Sequence, residues 1–189
     1  MEYHLTLPVG KKEIKKLRIG DILYLSGEVF TARDAAHKVL LKKDVTKLPF
    51  DPSRMALYHC GPLMRRQGTK WTVVSAGPTT SSRMELFEDR VIEKFKVPII
   101  IGKGGMGKKT GDALQRYSAV YTVYPGGVGV LAAESVTRVV DVYWLKELGM
   151  TEAVWVFHMK EFGPLVVAMD SYGGSLMERK GKNYQTKTC

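Results

Sequence analysis

Three cationic side chains follow three predicted strands, and each lies in a segment rich in hydroxyl groups or glycine. Arg33 lies in TARDAAH (31–37), Arg83 in GPTTSSRM (77–84) and Lys103 in IGKGGMG (101–107). A guanidinium group binds a carboxylate through two parallel hydrogen bonds, and an ammonium group adds a compact charge. Backbone amides at the N-terminus of a helix also attract anions. This combination favours a dicarboxylate ligand over a triphosphate.

The glycine-rich segment also resembles part of a nucleotide-binding P-loop. Gly102, Gly107 and Lys108 have the spacing of that motif, in which a serine or threonine that binds magnesium must follow the lysine. Lys109 occupies that position instead. Thr110 comes one residue later, which places it about 100° further around a helix. A P-loop protein is therefore a remote alternative.

Other residues that could do chemistry give weaker patterns. Asp34 and His37 are three residues apart on a predicted helix. Such a spacing is compatible with metal ligation, but without a third ligand it indicates a helix cap and an orienting hydrogen bond. His59 and Cys60 are neighbours in a predicted strand, so their side chains point to opposite faces and do not form a reactive pair. We predict no metal site in this chain, and the sequence assigns no role to His59, His158 or Asp170.

Strand-like and helix-like segments alternate along the chain, which predicts an α/β fold. Strands are predicted at 21–30, 55–60, 71–76, 97–101, 119–124, 139–144, 153–159 and 164–171. Those at 55–60 and 71–76 are expected to be buried and to end in Gly-Pro turns. Helices are predicted at 32–43, 79–95 and 110–118, with a short one before residue 135. Strand ends that lead into helix N-termini are places where anions bind in such folds.

Length and composition limit the possible classes. The chain has 189 residues, of which 44% are hydrophobic and 25% are charged, which predicts one folded domain (1–189) with a polar tail at 177–189. No apolar run approaches the ~18 residues of a membrane helix, and the N-terminus lacks a signal-peptide pattern, so we expect a cytoplasmic protein without membrane contact.

Charge and cysteine content narrow the choice of partner. The net charge of +10 favours anionic ligands. The cations are not interleaved with aromatic residues as they are in single-strand binders, so nucleic acid is not the expected ligand. The chain has 2 cysteines, which are too few for a closed thiolate metal site or for holding an iron-sulfur cluster.

Five blocks, in order, carry a resemblance to a known family. SGEVFTARDAAHK, YHCGP, GPTTSSRM, IGKGGMG and FGPLVVAMDS resemble the β subunit of the two-subunit class I fumarases and L-tartrate dehydratases. This subunit is equivalent to the C-terminal domain of the single-chain enzymes, and the resemblance spans roughly residues 9–175. It implies a single swivelling β/β/α domain and a hydro-lyase that interconverts fumarate and (S)-malate.

The resemblance also implies roles for particular residues. Arg33, Arg83 and Lys103 match carboxylate-binding positions, and Thr79 matches a threonine proposed to take the proton from carbon in the dehydration direction. The other members of the expected site have supporting roles: Asp34, His37, Thr80, Gly102, Gly104 and Gly105.

A partner is implied as well. In the family that the chain resembles, an α subunit holds a four-iron four-sulfur cluster through three cysteines, so we expect an α subunit partner and an α2β2 heterotetramer. The expected function is that of a fumarate hydratase β subunit. An L(+)-tartrate dehydratase β subunit is the alternative, because one extra hydroxyl on the diacid is read by contacts that the sequence does not reveal. A nucleic-acid-binding or P-loop protein is the remote alternative.

Overall fold

A computed structural model describes residues 1–179 of the chain. Its strands are β1 (Glu2–Thr6), β2 (Ile22–Thr31), β3 (Ala56–Tyr58), β4 (Leu63–Gln67), β5 (Lys70–Ser75), β6 (Ile99–Gly102), β7 (Val120–Val123), β8 (Val136–Tyr143) and β9 (Val154–Met169). Its α-helices are α1 (Lys11–Ile14), α2 (Asp34–Lys42), α3 (Glu88–Phe95), α4 (Lys108–Tyr117), α5 (Gly129–Glu134), α6 (Leu145–Leu148) and α7 (Leu176–Arg179). Short 3-10 helical segments lie at Val45–Lys47, Pro52–Arg54 and Ser81–Leu86.

Five strands close into a small barrel. The parallel strands β2, β3, β6 and β7 are neighbours in that order, and β9 runs antiparallel to both β7 and β2, which completes the ring. β1 extends the sheet beside β2, and β8 extends it beside β9. This arrangement confirms the predicted α/β fold class.

Alternate residues of the barrel strands enter two separate apolar cores. Ile99 and Ile101 of β6 pack with Tyr58 and Phe157 in one core, whereas Ile100 packs in the other. Because successive side chains of a strand point to opposite faces, one core fills the barrel and the other lies under the helices. Apolar residues of α2, α3 and α4 line the second core, and they include Leu40, Val91, Ile92 and Leu114.

The register of the parallel strands places the candidate site at one end of the barrel. Thr31 of β2 lies opposite Tyr58 of β3, and Tyr58 lies opposite Ile101 of β6. Arg33 and Lys103 each come two residues after a member of this row. The carboxyl ends of parallel strands share one edge of a sheet, where ligands bind in α/β folds.

Several predicted elements differ from the structure. The predicted helix at 79–95 is wrong in its first half, which is a 3-10 segment (Ser81–Leu86) separated from α3. Its first residue is held against the end of β6, because Ser81 N–H donates to the carbonyl of Lys103 at 2.9 Å. Segments 153–159 and 164–171, predicted as two strands, largely belong to one strand, β9, because β2 pairs with it from Val156 to Val166.

The predicted buried strand at 71–76 is wrong in its environment. β5 pairs with β4 in a separate two-stranded sheet, and β4 was not predicted. Only alternate residues of β5, Trp71 and Val73, pack against the barrel core, while Thr72 is exposed. This is the pattern of a strand with one solvated face.

The C-terminal segment ends the described chain. Residues 177–179 of the predicted tail belong to α7, and the rest of the tail lies outside the described residues. None of the helices in residues 1–179 combines the length and the apolar character that crossing a bilayer requires.

Candidate dicarboxylate-binding site

Arg33 and Arg83 are each held by an acidic side chain of the same chain. Arg33, directly before α2, lies 3.2 Å through its Nε atom from Oε1 of Glu152. Arg83 donates from Nε to Oδ1 of Asp34 at 3.2 Å and from Nη2 to Oδ2 at 2.6 Å. In both cases Nε faces a carboxylate, and Arg83 also uses Nη2 for Asp34, so Nη1 is the nitrogen of Arg83 that lies outside this pair. Guanidinium N–H groups that the anchoring carboxylate does not use can donate to a second carboxylate.

Lys103 lies beside the segment that carries Thr79 and Arg83. Thr80 and Lys103 form a parallel β-bridge, and Lys103 N–H donates to Oγ of Ser81 at 3.0 Å. The Lys103 side chain passes over Gly126, where an added Cβ would lie 3.0 Å from its Cδ atom. Thr79 N–H donates to the carbonyl of His59 at 2.7 Å. The structure therefore places the segment of Thr79 and Arg83 beside Lys103, and Asp34, the neighbour of Arg33, joins it through Arg83.

The supporting glycines act in different ways. Gly102 has no space for a side chain, because an added Cβ would collide with Oγ of Ser81 and approach Nδ1 of His59 to 3.1 Å. Gly104 has a φ of +78°, which favours glycine, and its carbonyl accepts from the Tyr121 hydroxyl at 2.9 Å. Gly105 faces the flexible side chain of Met177. Close approach is thus the requirement at Gly102, and positive φ is the requirement at Gly104.

Below the surface lies a buried cluster that consists of His37, His59 and Glu88. Glu88 Oε2 is 3.1 Å from Nε2 of His37 and 2.9 Å from Nε2 of His59. The other nitrogen of His37 lies 2.8 Å from the carbonyl oxygen of Arg33, and that of His59 lies 2.9 Å from Oγ of Ser81. All three side chains are fully buried. The cluster connects the segments that carry Arg33, Arg83 and Lys103.

The electrostatics of this cluster favour separated charges. Burial alone would raise the pKa of Glu88, but the attraction of His59 and the hydrogen bonds from both rings outweigh it and lower that pKa. Burial alone would lower the pKa of His37, but its contacts with Glu88 and with the Arg33 carbonyl outweigh it and raise that pKa. The ligand atoms of the three residues lie within 4.8 Å of one another, as a metal site would require, yet their hydrogen bonds to one another already use them.

The N-terminus of α4, where a P-loop would hold phosphate, is occupied by Glu85. The Glu85 carboxylate accepts hydrogen bonds from Gly107 N–H at 2.7 Å and from the backbone and hydroxyl of Thr110 at 3.3 and 2.7 Å. Lys108, the lysine of the P-loop register, is 84% exposed and pairs with Asp112 one turn later. A carboxylate of this chain thus satisfies the amides that a nucleotide would need.

Several residues with positioning roles were missed in the sequence. Glu152 holds Arg33 and also accepts from Ala35 N–H at 2.9 Å, although it lies more than 100 residues away along the chain. The sequence pattern places Glu88, Ser81 and Glu85 in a predicted helix and gives them no other role. Glu88 carries one available signal, since it lies within an apolar helix face and is nevertheless charged, a combination that requires a buried partner.

The remaining polar residues that lacked a role serve local structure. Asp170 accepts from Tyr172 N–H and Gly174 N–H at 3.0 and 2.9 Å, so it stabilises the turn after β9. His158 lies beside the Thr137 hydroxyl at 3.0 Å. Burial raises the pKa of the Cys60 thiol, so Cys60 is a packed thiol and not a thiolate ligand. His37 has an orienting hydrogen bond with the carbonyl of Arg33, but the predicted helix cap is wrong, because Arg33 is the N-cap residue of α2 and Asp34 binds Arg83 instead.

Comparison with known proteins gives the family. The family model Fumarase C-terminus matches residues 2–180. The chain belongs to this family. "Putative L(+)-tartrate dehydratase subunit beta" of Methanocaldococcus jannaschii is 46% identical over 189 residues, which cover 99% of this chain and 96% of that protein. "L(+)-tartrate dehydratase subunit beta" of Escherichia coli (strain K12) is 42% identical over 182 residues, which cover 96% and 90%.

A single-chain relative gives the relation to larger proteins. "Putative fumarate hydratase class I" of Geobacillus stearothermophilus is 39% identical over 175 residues, which cover 92% of this chain and 33% of that protein. This match agrees with the expected equivalence to one part of a single-chain enzyme. The relatives carry the names of hydro-lyases or their subunits, so the predicted family and enzyme class are confirmed at the level of the family.

Proposed function

We propose that this chain is the β subunit of a hydro-lyase that interconverts fumarate and (S)-malate. The observation that carries the proposal is the position of three cations: Arg33 and Lys103 follow the carboxyl ends of β2 and β6, and Arg83 lies in the 3-10 segment that is bonded to the end of β6. Arg33 and Arg83 are each anchored by a carboxylate, and Lys103 is fixed through its backbone to the segment that carries Arg83. Two guanidinium ends and one ammonium group suit a ligand with two carboxylates.

Thr79 is the proposed proton acceptor. Its backbone is fixed by the 2.7 Å hydrogen bond to His59, and the next residue pairs with Lys103. The backbone of Thr79 is therefore held between His59, which follows β3, and the end of β6 that carries Lys103. A threonine hydroxyl acts as a base only with assistance, so an acidic group of the partner subunit is part of the proposal.

An α subunit partner is proposed because the site is open on this chain. Arg83 is 50% exposed, and Leu86 in the same 3-10 segment is 72% exposed. Val130 and Leu131 on α5, which follows the turn over Lys103, are also exposed. An apolar rim beside a charged centre is typical of an interface with another protein. The β subunit names of two relatives support this partner, and α2β2 is the proposed assembly.

The four-iron four-sulfur cluster is proposed to be held by the α subunit. The chain has 2 cysteines, and Cys60 is buried among apolar groups with its thiol protonated. This chain does not fit the cluster, so its own part in the reaction is to bind and orient the substrate and to receive a proton at Thr79.

L(+)-tartrate is the second candidate substrate, because two relatives at 42% and 46% identity are named for it. Fumarate and malate stay first because the described groups account for two carboxylates and one proton transfer. A hydroxyl on the other central carbon of tartrate would need a further polar contact.

Co-expression with the α subunit tests both candidates. The complex, purified without oxygen, is assayed with (S)-malate, fumarate and L(+)-tartrate, and the β chain alone is assayed beside it. We expect that the complex turns over malate and fumarate and that the β chain by itself does not. Preferential turnover of tartrate would replace the proposed substrate, and hydratase activity of the β chain without a partner would contradict the shared site.

A further inference from the structure

Each ring nitrogen of His37 faces an oxygen atom. When Glu88 is ionised, both of these oxygen atoms can accept a hydrogen bond and neither can donate one. Nδ1 lies 2.8 Å from the carbonyl of Arg33, and Nε2 lies 3.1 Å from Oε2 of Glu88. A neutral imidazole has one N–H group and can satisfy only one of the two. His59 differs, because its Nδ1 faces the Ser81 hydroxyl, which can donate or accept.

One other arrangement would satisfy the same distances. Glu88 could carry the proton and donate it to His37, which would leave both groups neutral. A carboxylate that accepts from two imidazole rings is stabilised in its charged form, since hydrogen bonds to the charged form favour it. An imidazole is also the stronger base of the two groups by about two pKa units. The proton therefore resides on His37.

The cluster is bonded directly to the main chain or side chain of each segment of the site. His37 binds the carbonyl of Arg33, and His59 binds the Ser81 hydroxyl, which accepts from Lys103 N–H. The carbonyl of His59 accepts from Thr79 N–H at 2.7 Å. A shift of the cluster therefore displaces three strand ends together.

We propose that Glu88 and a His37 that is protonated at neutral pH form a buried ion pair which, through His59, positions the substrate-binding segments. Glu88 is a positioning residue, because it contacts none of the groups expected to touch substrate. The ion pair stands on geometry alone, whereas its kinetic consequence rests on the proposed function.

The charges around His37 agree with this assignment. Glu88 faces the ring from α3, Asp34 lies on the preceding turn of α2, and His59 meets it edge-on with ring centroids 5.4 Å apart. Phe87 covers another side with centroids 6.2 Å apart. Two carboxylates and an apolar wall surround the imidazolium, so its charge is balanced without solvent.

Nitrogen-15 NMR of the histidine rings tests the ion pair on the β chain by itself. We expect His37 to show the pattern of a doubly protonated ring at pH 7.5, where an ordinary histidine is neutral. In Glu88→Gln, which keeps the shape but removes the charge, His37 should become neutral. Glu93→Gln, on the exposed side of α3, is the matched control and should leave His37 charged. A neutral His37 in the wild-type chain would overturn the ion pair.

Two readouts test the positioning role. In the β chain alone, Glu88→Gln should move the amide resonances of Thr79 and Lys103, and Glu93→Gln should not. In the complex, Glu88→Gln should raise KM and lower kcat/KM by about 10- to 100-fold, since small misplacements of binding groups have such effects. A merely destabilised protein would lose active enzyme at an unchanged KM. Unmoved amides or a wild-type KM would overturn the positioning role.

The two proposals fail separately. A wild-type complex without hydratase or dehydratase activity would refute the proposed function, while the ring and amide spectra would still decide for or against the ion pair and its positioning role.

Discussion

Asp34 and Arg83 are joined by two hydrogen bonds across the mouth of the site, Nε to Oδ1 at 3.2 Å and Nη2 to Oδ2 at 2.6 Å. The pair links the start of α2 to the 3-10 segment before α3. It fixes the plane of the guanidinium and leaves Nη1 outside the pair. An arginine that is oriented in advance loses less conformational freedom when it binds a carboxylate.

Asp34→Asn should weaken the orientation of Arg83 while all the cations of the site are kept. The pair is partly exposed, with Arg83 at 50%, so its loss is worth at most about 1 kcal/mol. We expect kcat/KM of the complex to fall about fivefold, mainly through KM. Asp112→Asn, which breaks the exposed pair with Lys108, is the control and should have no effect. An unchanged KM in Asp34→Asn would show that the pair does not orient Arg83.

Glu85→Ala tests the role assigned to the N-terminus of α4. Glu85 accepts from Gly107 N–H and from Thr110, so its removal leaves helix amides without a partner. The free energy of unfolding, measured with urea, should fall by about 1–2 kcal/mol, in the range of N-cap losses. Glu147→Ala at an exposed position should change it by less than about 0.5 kcal/mol. Equal stabilities of the two variants would contradict the capping role.

The parallel strands and the cations at their ends could be predicted from the sequence. The apolar runs at 55–60 and 97–101 and the position of Arg33 and Lys103 directly after strands depend on local pattern, which a sequence displays. The barrel closure could not be predicted, because β9 pairs with β2 across more than 120 residues. Likewise, the anchoring of Arg33 by Glu152 has no local signature, and the sequence shows Glu88 as a charge on an apolar helix face without showing that His37 and His59 are its partners.

The family resemblance supplied the site residues that pattern alone left open. Thr79 is one of four hydroxyl residues in a row, and nothing in its spacing distinguishes it from Thr80. The fold separates them, since Thr80 is exposed and pairs with Lys103 through its backbone, whereas Thr79 is half-buried and pairs with His59.

Stability should depend on pH through the His37 and Glu88 pair. The raised pKa of His37 gives a stabilisation that is complete below its ordinary pKa of 6.5 and is lost as the pH rises through the folded value. The lowered pKa of Glu88 gives a stabilisation that is present above its ordinary pKa of 4.5 and is lost as the pH falls toward the folded value. The contribution of the pair is therefore largest between pH 4.5 and 6.5.

Thermal unfolding of the wild-type chain and Glu88→Gln measures this window. The difference in Tm should be greatest near pH 5.5 and should exceed the ~2–4 °C that 1 kcal/mol produces in a chain of this size. It should shrink as the pH falls below 4.5 and as it rises above 6.5. A difference that stays constant from pH 3 to 9 would show that the two groups are not charged in the folded chain.

Gly102→Ala should displace the segment of the site that contains Ser81. Its Cβ would collide with Oγ of Ser81, which binds both His59 and Lys103, so the segment must shift. Overpacking of this kind costs about 1–3 kcal/mol in the free energy of unfolding. Gly105→Ala faces only the flexible Met177 side chain and should be nearly neutral in a urea titration. Gly102→Ala with wild-type stability would mean that the close approach is not required.

The central claim is that Lys103, and not the P-loop-like Lys108, binds the anionic ligand of this chain. Lys103 lies over Gly126 beside the segment of Arg83, whereas Lys108 is 84% exposed and paired with Asp112. Kinetics of the two alanine variants in the α–β complex test the claim most directly, with titration calorimetry of ATP and GTP on the β chain as its complement. We predict that Lys103→Ala lowers kcat/KM for malate by ~100-fold or more, on the scale of about 3 kcal/mol for a lost charged contact. Lys108→Ala should keep a kcat/KM near that of the wild type. Neither ATP nor GTP should bind to the β chain. A wild-type rate in Lys103→Ala, or micromolar nucleotide binding abolished by Lys108→Ala, would contradict the account.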